Sequence, residues 1–422
     1  MWSNKSNLFN AVLFTTVLTV LLTFSVPAFA ASDDKPVEVT MWTWFTEFRT
    51  VFPEIIEDFN ETHEGIKVKN QFIGLSEYLQ KLQSAVSGKN EPDIFGTHVH
   101  AKAYGEEGIT IDFKEWVDDD FLDRFFEGTI KQYTFNDRLT ALPWTAQTFG
   151  IFYNTEIFED MGLETPETWD DLIKVSNKLR DNGIKPIAFG NRGKWLGTDF
   201  FLPLVTQVTN DPELVLRLDR KWSESIGWDS EPVVEAYELL DKLVKNDVFV
   251  KGLNGISNEQ ARIMFYNGQA AMFVQGSWEP GTAAQQAPED FSYDVFQMPA
   301  LSSDQPHWTG NESGAQLAVS ARSEHIPEAI EFLKYLYSSD VYAKAMIEGK
   351  GMPAMAETIP ELEDPIIKKM TGWLSNGAPH ILYGAGSWDA VANATQGLMG
   401  GSLTPKEAAS QIEEAVERAR KR

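Results

Sequence analysis

The chain has 422 residues, of which 43% are hydrophobic and 12% aromatic, and its formal net charge is −26. A chain of this length is too long for a single domain with one hydrophobic core of ordinary size, and its apolar content excludes a disordered or fibrous protein. The acidic excess disfavours nucleic acid as a partner. The absence of cysteine excludes disulfides, thiolate nucleophiles, cysteine-bound metals and a lipid anchor on an N-terminal cysteine.

Residues 1–30 have the pattern of a secretory signal peptide. Lys5 is followed by an apolar run from Ala11 to Val26, and Ala28-Phe29-Ala30 fits the small-x-small cleavage site. The alternative is an uncleaved membrane anchor, although the run is short for a span of about 20 residues. We therefore expect a soluble mature protein that begins near Ala31 or Ser32 and resides in the periplasm or outside the cell.

The first part of the mature chain alternates predicted strands and helices. Val37, Val39 and Met41 alternate with polar residues, as in a half-buried strand. The first helical stripe then runs from Phe52 to Phe59, and a second strand begins at Ile66. A second helical stripe from Tyr78 to Val86 and the short apolar run Asp93–Gly96 complete a doubly wound α/β start.

The same alternation returns in the middle of the chain. An apolar strand is predicted at 149–154, and Thr168 with Asp171 resembles a capping box that opens a helix ending before Gly183. The remaining predictions are strands at 186–189 and 270–274 and helices at about 231–244, before Asn267-Gly268, at 330–337 and from Pro405 onward. No linker separates these elements, so two lobes must be interwoven along one continuous α/β pattern.

Tryptophans, of which the chain has thirteen, often follow predicted strands. Five of them are Trp42, Trp44, Trp144, Trp195 and Trp278, and a sixth, Trp388, lies in the glycine-rich stretch Gly384–Trp388. The ligand crevice of an open α/β sheet lies beyond the carboxyl ends of its strands, where indole rings can stack on the C–H faces of sugars. Polar residues that can bind hydroxyl groups occupy the same positions: Thr46, Glu47, His98, Gln147, Asn191, Lys194 and Glu279. The alternative for each tryptophan is a place in an ordinary core.

Other chemistry has weaker support. His98-x-His100 is a potential metal pair without a visible third ligand, and Asp118–Asp120 lacks the spaced oxygens of a calcium loop. The phosphate-binding, nucleophile-elbow and zinc-protease motifs are absent, and Gly384-x-Gly386 lacks the third glycine of a dinucleotide fingerprint. We expect no metal, no cofactor and no catalytic residues.

Six short stretches together resemble the maltose-binding family of extracellular solute-binding proteins, which serve ABC sugar importers. They are Val39–Trp44, Glu91–Ile94, Leu142-Pro143 through Asn154, Pro166–Leu172, Gly268–Met272 through Trp278, and Glu328–Leu333. The resemblance covers roughly Val37 to the C-terminus. It implies the two-lobed periplasmic-binding-protein fold, in which a hinge joins two discontinuous α/β domains.

The resemblance also implies domain limits. We expect residues 31–147 plus 299–350 in the N-terminal lobe and residues 148–298 plus 351–422 in the C-terminal lobe. The crossovers are expected near Gln147, Pro299 and Lys350, where proline and glycine residues occur.

Several site residues follow from the resemblance. Trp278 and Trp388 match stacking tryptophans of the family, and Trp195 falls close to a stacking tyrosine. Three positions depart from the maltose-binding pattern, since Gln147 and Thr46 stand where acids are found and Ala392 where an arginine is found. These departures argue against maltose as the ligand, because hydroxyl partners set specificity.

We therefore expect a monomeric substrate-binding component that captures a mono- or oligosaccharide and delivers it to the permease subunits of a membrane importer. A secreted glycosidase is the enzyme alternative, since it also needs aromatic residues and two carboxyl groups. A further alternative keeps the fold and exchanges the neutral sugar for a metal, an amino acid, a polyamine, or a sulfonated or amino sugar.

Overall fold

The structure is a computed structural model that describes residues 35–220, 226–378, 382–384 and 386–421. The expected signal peptide at residues 1–30 lies outside the described residues. The described residues from Pro36 onward form one compact unit. Within the described ranges, no helix combines the length and apolar character that crossing a membrane requires.

The strands and helices alternate along the chain as the sequence pattern predicts. The strands are β1 (Val37–Thr43), β2 (Ile66–Phe72), β3 (Ile94–Phe95), β4 (Thr134–Phe135), β5 (Arg138–Leu139), β6 (Leu142–Pro143), β7 (Ala146–Asn154), β8 (Lys185–Ala188), β9 (Ala270–Gly276), β10 (Tyr293–Phe296), β11 (Thr309–Ser313), β12 (Gln316–Val319) and β13 (Gly377–Ala378).

The helices are α1 (Val51–Thr62), α2 (Leu75–Gly88), α3 (Ala101–Glu106), α4 (Asp119–Leu122), α5 (Glu127–Gln132), α6 (Thr155–Asp160), α7 (Trp169–Asp181), α8 (Trp195–Thr209), α9 (Leu214–Arg220), α10 (Glu231–Lys245), α11 (Asn258–Tyr266), α12 (Glu279–Gln286), α13 (Ile326–Leu336), α14 (Ser339–Glu348), α15 (Pro365–Thr371), α16 (Ser387–Met399) and α17 (Pro405–Arg420). Short 3-10 turns at Thr46–Phe48 and His98–His100 directly follow two strands of the first sheet.

The first lobe is built on a five-stranded sheet with the order β2-β1-β3-β12-β6. β1 runs parallel to both β2 and β3, whereas β12 is antiparallel to β3 and β6. The predicted stripe of α1 is buried at Phe52, Ile55 and Phe59, and it packs in one core with the strands and α13. The carboxyl ends of three parallel strands therefore meet at one edge of this lobe.

The second lobe is built on a six-stranded sheet with the order β13-β11-β7-β9-β8, in which β10 also pairs with β7. β9 is buried along its whole length and lies parallel to β8 and antiparallel to β7. Thr168 caps α7, because its hydroxyl accepts a hydrogen bond from the Asp171 backbone N–H at 3.2 Å. Helices α7, α8, α10, α16 and α17 pack in one core with this sheet, and the carboxyl ends of the parallel strands β8 and β9 lie at one edge.

Within the described ranges, the chain passes between the lobes three times. It crosses first between β6 and β7, and next between β11 and β12, where Gly314 separates strands of the two sheets. The third passage lies near Met352, which packs in the second lobe while Ala354 packs in the first. The segment after Pro299 still pairs with the second sheet through β11. The domain limits stay a prediction, and this pairing favours Gly314 over Pro299 for the second crossover.

Candidate ligand-binding site

A cavity of about 380 Å³ is lined by residues of both lobes. The lining residues are Trp44, Phe45, Thr46, Glu47, Arg49, Phe72, Gly74, Leu75, His98, Gln147, Trp195, Asp199, Asn258, Glu259, Arg262, Trp278, Gln286, Gly314 and Ala315. This set includes seven of the thirteen candidate residues named from the sequence. The structure brings together Trp44, Thr46, Glu47, His98, Gln147, Trp195 and Trp278.

The first-lobe wall consists of the segments that follow β1, β2 and β3. Because these strands are parallel, their carboxyl ends lie side by side and bring Trp44, Phe72 and His98 to one cavity. The ring of Trp44 lies 5.4 Å from His98 and 4.8 Å from Tyr78, measured between centroids. Tyr78 is fully buried, so the Trp44 indole packs against the core on the side of Tyr78 and also lines the cavity.

The second-lobe wall contains a pair of tryptophans. Trp195 begins α8 after strand β8, and Trp278 follows strand β9. Their ring centroids are 5.9 Å apart, and Trp278 also contacts Phe149 edge to face at 5.2 Å. These two rings give the wall a broad aromatic surface, of the kind that stacks against the C–H face of a sugar ring.

Glu47 is a nearly buried carboxyl group on the first wall, with 7% of its surface exposed. Burial raises the pKa of Glu47 to about 7, although the charge of Arg262 acts in the opposite direction. Its backbone carbonyl accepts a hydrogen bond at 2.9 Å from Gln285 on α12, which joins the two lobes beside the cavity. Glu47 can therefore exchange a proton near neutral pH.

His98 combines a neutral ring with an unusual backbone. Burial lowers its pKa to about 3, with a smaller contribution from His100, so the imidazole is uncharged at physiological pH. The buried Nδ1 atom has no hydrogen-bond partner, and the φ angle of 49° lies in the left-handed region. Strained residues with unpaired polar atoms are concentrated at functional sites.

Arg262 places a cation on the cavity wall that is already paired. Its Nε lies 3.1 Å from a carboxylate oxygen of Glu279, and Tyr266 donates a hydrogen bond of 2.6 Å to the same carboxylate. Glu279 is fully buried and lies behind the wall. Burial raises its pKa, and the contacts with Arg262 and Tyr266 oppose this effect. Glu279 therefore positions Arg262 and does not itself line the cavity.

The chain matches the family of bacterial extracellular solute-binding proteins over residues 42–343, which is more than half of its length. It belongs to this family.

Relatives and solved structures agree with this assignment. The chain is 25% identical over 373 residues to the multiple sugar-binding protein of Streptococcus mutans, covering 88% of this chain and 87% of that one. It is 22% identical over 357 residues to the melibiose/raffinose/stachyose-binding protein of Bacillus subtilis, covering 81% and 80%. The solute-binding protein RafE in complex with raffinose matches with a TM-score of 0.77 and 20% identity, covering 91% of this chain and 99% of that one.

The structural match confirms the fold expected from the sequence. This solute-binding protein has the two-lobed periplasmic-binding-protein fold, with α/β lobes that are each discontinuous in sequence. The cavity described above lies where residues of both lobes meet.

Three predicted site residues lie away from the cavity lining. Asn191 is fully buried. Its side chain donates a hydrogen bond to Asn254 Oδ1 at 2.8 Å and accepts one from the Gly197 backbone N–H at 3.1 Å, which anchors the start of α8. Glu279 is occupied by Arg262. Trp388, at the start of α16, contacts the ring of His98 at 5.9 Å and does not line the cavity.

Two other strand-end tryptophans also serve different purposes. Trp144 is fully buried in the first-lobe core among Phe48, Phe52 and Tyr342, so for this tryptophan the alternative of a place in the core holds. Trp42 lies under the ammonium group of Lys81, 4.6 Å from the ring centroid. Position after a strand is therefore an incomplete guide to which tryptophans line the crevice.

Sequence reasoning missed several polar residues on the wall, which are Arg49, Asp199, Asn258, Glu259, Arg262 and Gln286. One of them carries a readable signal. Asp199 is the sole charged residue in the helix sequence Trp195–Thr209, which is otherwise apolar or uncharged. A lone carboxyl group in a buried helix needs a partner or a function. Arg262 and Glu259 lie on an ordinary amphipathic helix and give no such signal.

Among the described residues, no group of three or more histidine and acidic side chains is arranged to hold a metal ion. His98 and His100 therefore lack a third ligand there. The cavity as a whole offers aromatic faces, two buried carboxyl groups, amides and one paired guanidinium. Such a set can stack a ring and bind its hydroxyl groups.

Proposed function

We propose that this protein is the substrate-binding component of an ABC importer, which captures a mono- or oligosaccharide between its lobes and delivers it to the membrane permease. The observation that carries this proposal is the cavity itself. Trp44 lies on one wall and the pair Trp195 and Trp278 on the other, with carboxyl and amide groups between them. Aromatic faces with a few polar groups are suited to carbohydrate rings.

The names of similar proteins support a carbohydrate ligand. The relatives from Streptococcus mutans and Bacillus subtilis are named as sugar-binding proteins, and a similar solved structure contains raffinose. Export fits the family and the predicted signal peptide at residues 1–30, with the mature protein soluble, monomeric and free of a lipid anchor. The permease subunits are then its partners, and no nucleic acid is involved.

The proposed contacts divide between stacking and hydrogen bonding. Trp44, Trp195 and Trp278 stack on the sugar, and Thr46, Glu47, His98 and Gln147 bind its hydroxyl groups. The ring contact of Trp388 with His98 supports a positioning role for that tryptophan. We further propose that the lobes move about the crossovers at Pro143–Ala146, at Gly314 and near Met352.

A sugar panel tests this proposal. Purified mature protein is heated with mono- and oligosaccharides, and separately with amino acids, polyamines and divalent metal ions. A cognate sugar at about 100 times its dissociation constant adds about 2.7 kcal/mol to the free energy of unfolding. Stabilisation by a member of the non-sugar set alone contradicts the proposal.

The protein is proposed to bind without catalysis, in line with a family of binding proteins. Incubation of the best-binding sugar with the protein should leave it intact. Product that increases with protein concentration favours the glycosidase alternative, in which two carboxyl groups flank the cleaved bond.

A further inference from the structure

Asp199 lies in the cavity wall within the aromatic site. It follows Trp195 by four residues on α8, so both side chains lie on the same face of the helix and both line the cavity. Only 6% of Asp199 is exposed, and its Oδ1 atom is buried without a hydrogen-bond partner. A buried carboxyl group with an unpartnered oxygen is costly, and because this group also lines the cavity a ligand can bring a hydrogen-bond donor to it.

The charged groups around the cavity do not supply that donor. The other charged or titratable side chains on its wall are Glu47, Arg49, His98, Glu259 and Arg262. Arg262 is engaged by Glu279, and the Arg49 guanidinium lies over Phe72 at 5.0 Å from the ring centroid. Burial, without an opposing cation, raises the pKa of Asp199 well above its usual range.

We propose that Asp199 is a specificity-determining residue, whose carboxylate accepts hydrogen bonds from hydroxyl groups of a neutral sugar ring that stacks on Trp195 and Trp278. This inference rests on the proposed function and names the ligand class more narrowly. The carboxylate is the form that binds the sugar, whose hydroxyl groups supply the hydrogen-bond donors.

The test is a cycle between Asp199→Asn and single hydroxyl groups of the ligand. The probes are the sugar that binds most tightly in the panel and its derivatives in which one hydroxyl group at a time is replaced by hydrogen. Affinities are measured by calorimetry. For the unmodified sugar, Asp199→Asn should weaken binding by about 10- to 100-fold, as expected for hydrogen bonds to a charged acceptor. The derivative lacking the partner hydroxyl should bind both proteins almost equally.

Glu91→Gln is the matched control. Glu91 is another buried acid with an unpartnered oxygen, Oε2, and it lines a different groove together with Arg322 and Ser320. This variant should keep the affinity and the hydroxyl preference of the wild type. Melting temperatures without sugar show that both variants are folded.

The outcomes separate this inference from the proposed function. Wild-type affinity in Asp199→Asn overturns the inference and leaves the sugar proposal intact. Equal weakening for every derivative overturns it too, because Asp199 then acts only on the shape of the cavity. A derivative with an amino group in place of one hydroxyl group gives a further outcome. If it binds more tightly than the parent sugar and this gain is lost in Asp199→Asn, the partner of Asp199 is an ammonium group and the inference is overturned. If no sugar in the panel binds, both proposals fail.

Discussion

At the scale of single residues, substitutions of Trp278 and Trp144 distinguish a tryptophan that binds ligand from one that stabilises the fold. Its ring lines the cavity and is only partly buried, whereas Trp144 is fully buried in the first-lobe core. Trp278→Ala should lower sugar affinity by about thirtyfold, or about 2 kcal/mol, with little change in melting temperature. Trp144→Ala should cost about 3–5 kcal/mol of folding stability and leave the affinity of the folded fraction unchanged. Calorimetry and thermal melts give the two quantities.

An equal loss of stability in both variants assigns Trp278 to the core and removes it from the site. Normal sugar affinity in a well-folded Trp278→Ala protein has the same consequence.

Glu47 should make the stability of the ligand-free protein depend on pH. Its folded-state pKa of about 7 exceeds the ordinary value of 4.5, so the carboxyl group keeps its proton up to a higher pH in the folded state than in the unfolded state. Stability therefore decreases as pH rises from about 4.5 to 7, by an amount on the order of 3 kcal/mol. Glu47→Gln removes this decrease. Urea unfolding of both proteins at pH 5 and pH 8 measures it, and identical pH dependence contradicts it.

The candidate site was only partly predictable at this scale. Trp44, Trp195 and Trp278 follow strands and could be located from strand patterns alone. Asn191 occupies an equivalent position, yet its amide is taken up by Asn254 and the start of α8. Whether a polar side chain after a strand lines the cavity or is bound inside the protein depends on contacts with residues far away in the sequence, which the local sequence does not encode. Asp199 is recognisable in the sequence as a lone acid in an otherwise uncharged stretch, but only the fold shows that it lines the cavity.

At the scale of elements, the aromatic wall depends on a glycine at the end of β9. A methyl group added to Gly276 lies 2.1 Å from Cζ3 of the Trp278 ring, so the close approach requires glycine. Gly276→Ala should displace the ring and weaken sugar binding at least about tenfold, at a cost of about 1–3 kcal/mol in stability. Gly128→Ala on α5 is the control, because nothing lies within 4 Å of its added methyl group.

Both glycine variants are compared by calorimetry with the same sugar. Unchanged affinity in Gly276→Ala shows that the Trp278 ring position is unimportant for binding.

Strongly periodic elements were predictable and the less regular ones were not. The stripes of α1, α2, α7 and α10 form as expected because one face of each helix is buried, and the apolar run of β9 forms a strand that is buried on both faces. Helix α8 lacks a polar face, since most of its residues are buried, and it therefore gives no amphipathic pattern. Strands β11 and β12 form by pairing with strands far away in the sequence, namely β7 and β3, so their own residues do not predict them.

At the scale of the whole molecule, we predict that export removes residues up to about Ala30 or Ala31. The positive Lys5, the apolar run and Ala28-Phe29-Ala30 are the reasons. N-terminal sequencing of protein recovered from the cell envelope or medium should begin at Ala31 or Ser32. Membrane-bound protein that retains Met1 contradicts the prediction and favours an uncleaved anchor.

The central claim is that a single sugar is held between the two lobes. Calorimetric titration of the tightest-binding sugar tests it most directly, with wild-type protein, Trp44→Ala in the first lobe and Trp195→Ala in the second. Trp42→Ala serves as the control, because Trp42 lies on the same strand segment as Trp44 but outside the cavity. We predict one sugar per chain, at least about tenfold weaker binding in each lobe's variant, and wild-type affinity in the control. A stoichiometry other than one, or a loss confined to the variant of one lobe, contradicts capture between the lobes.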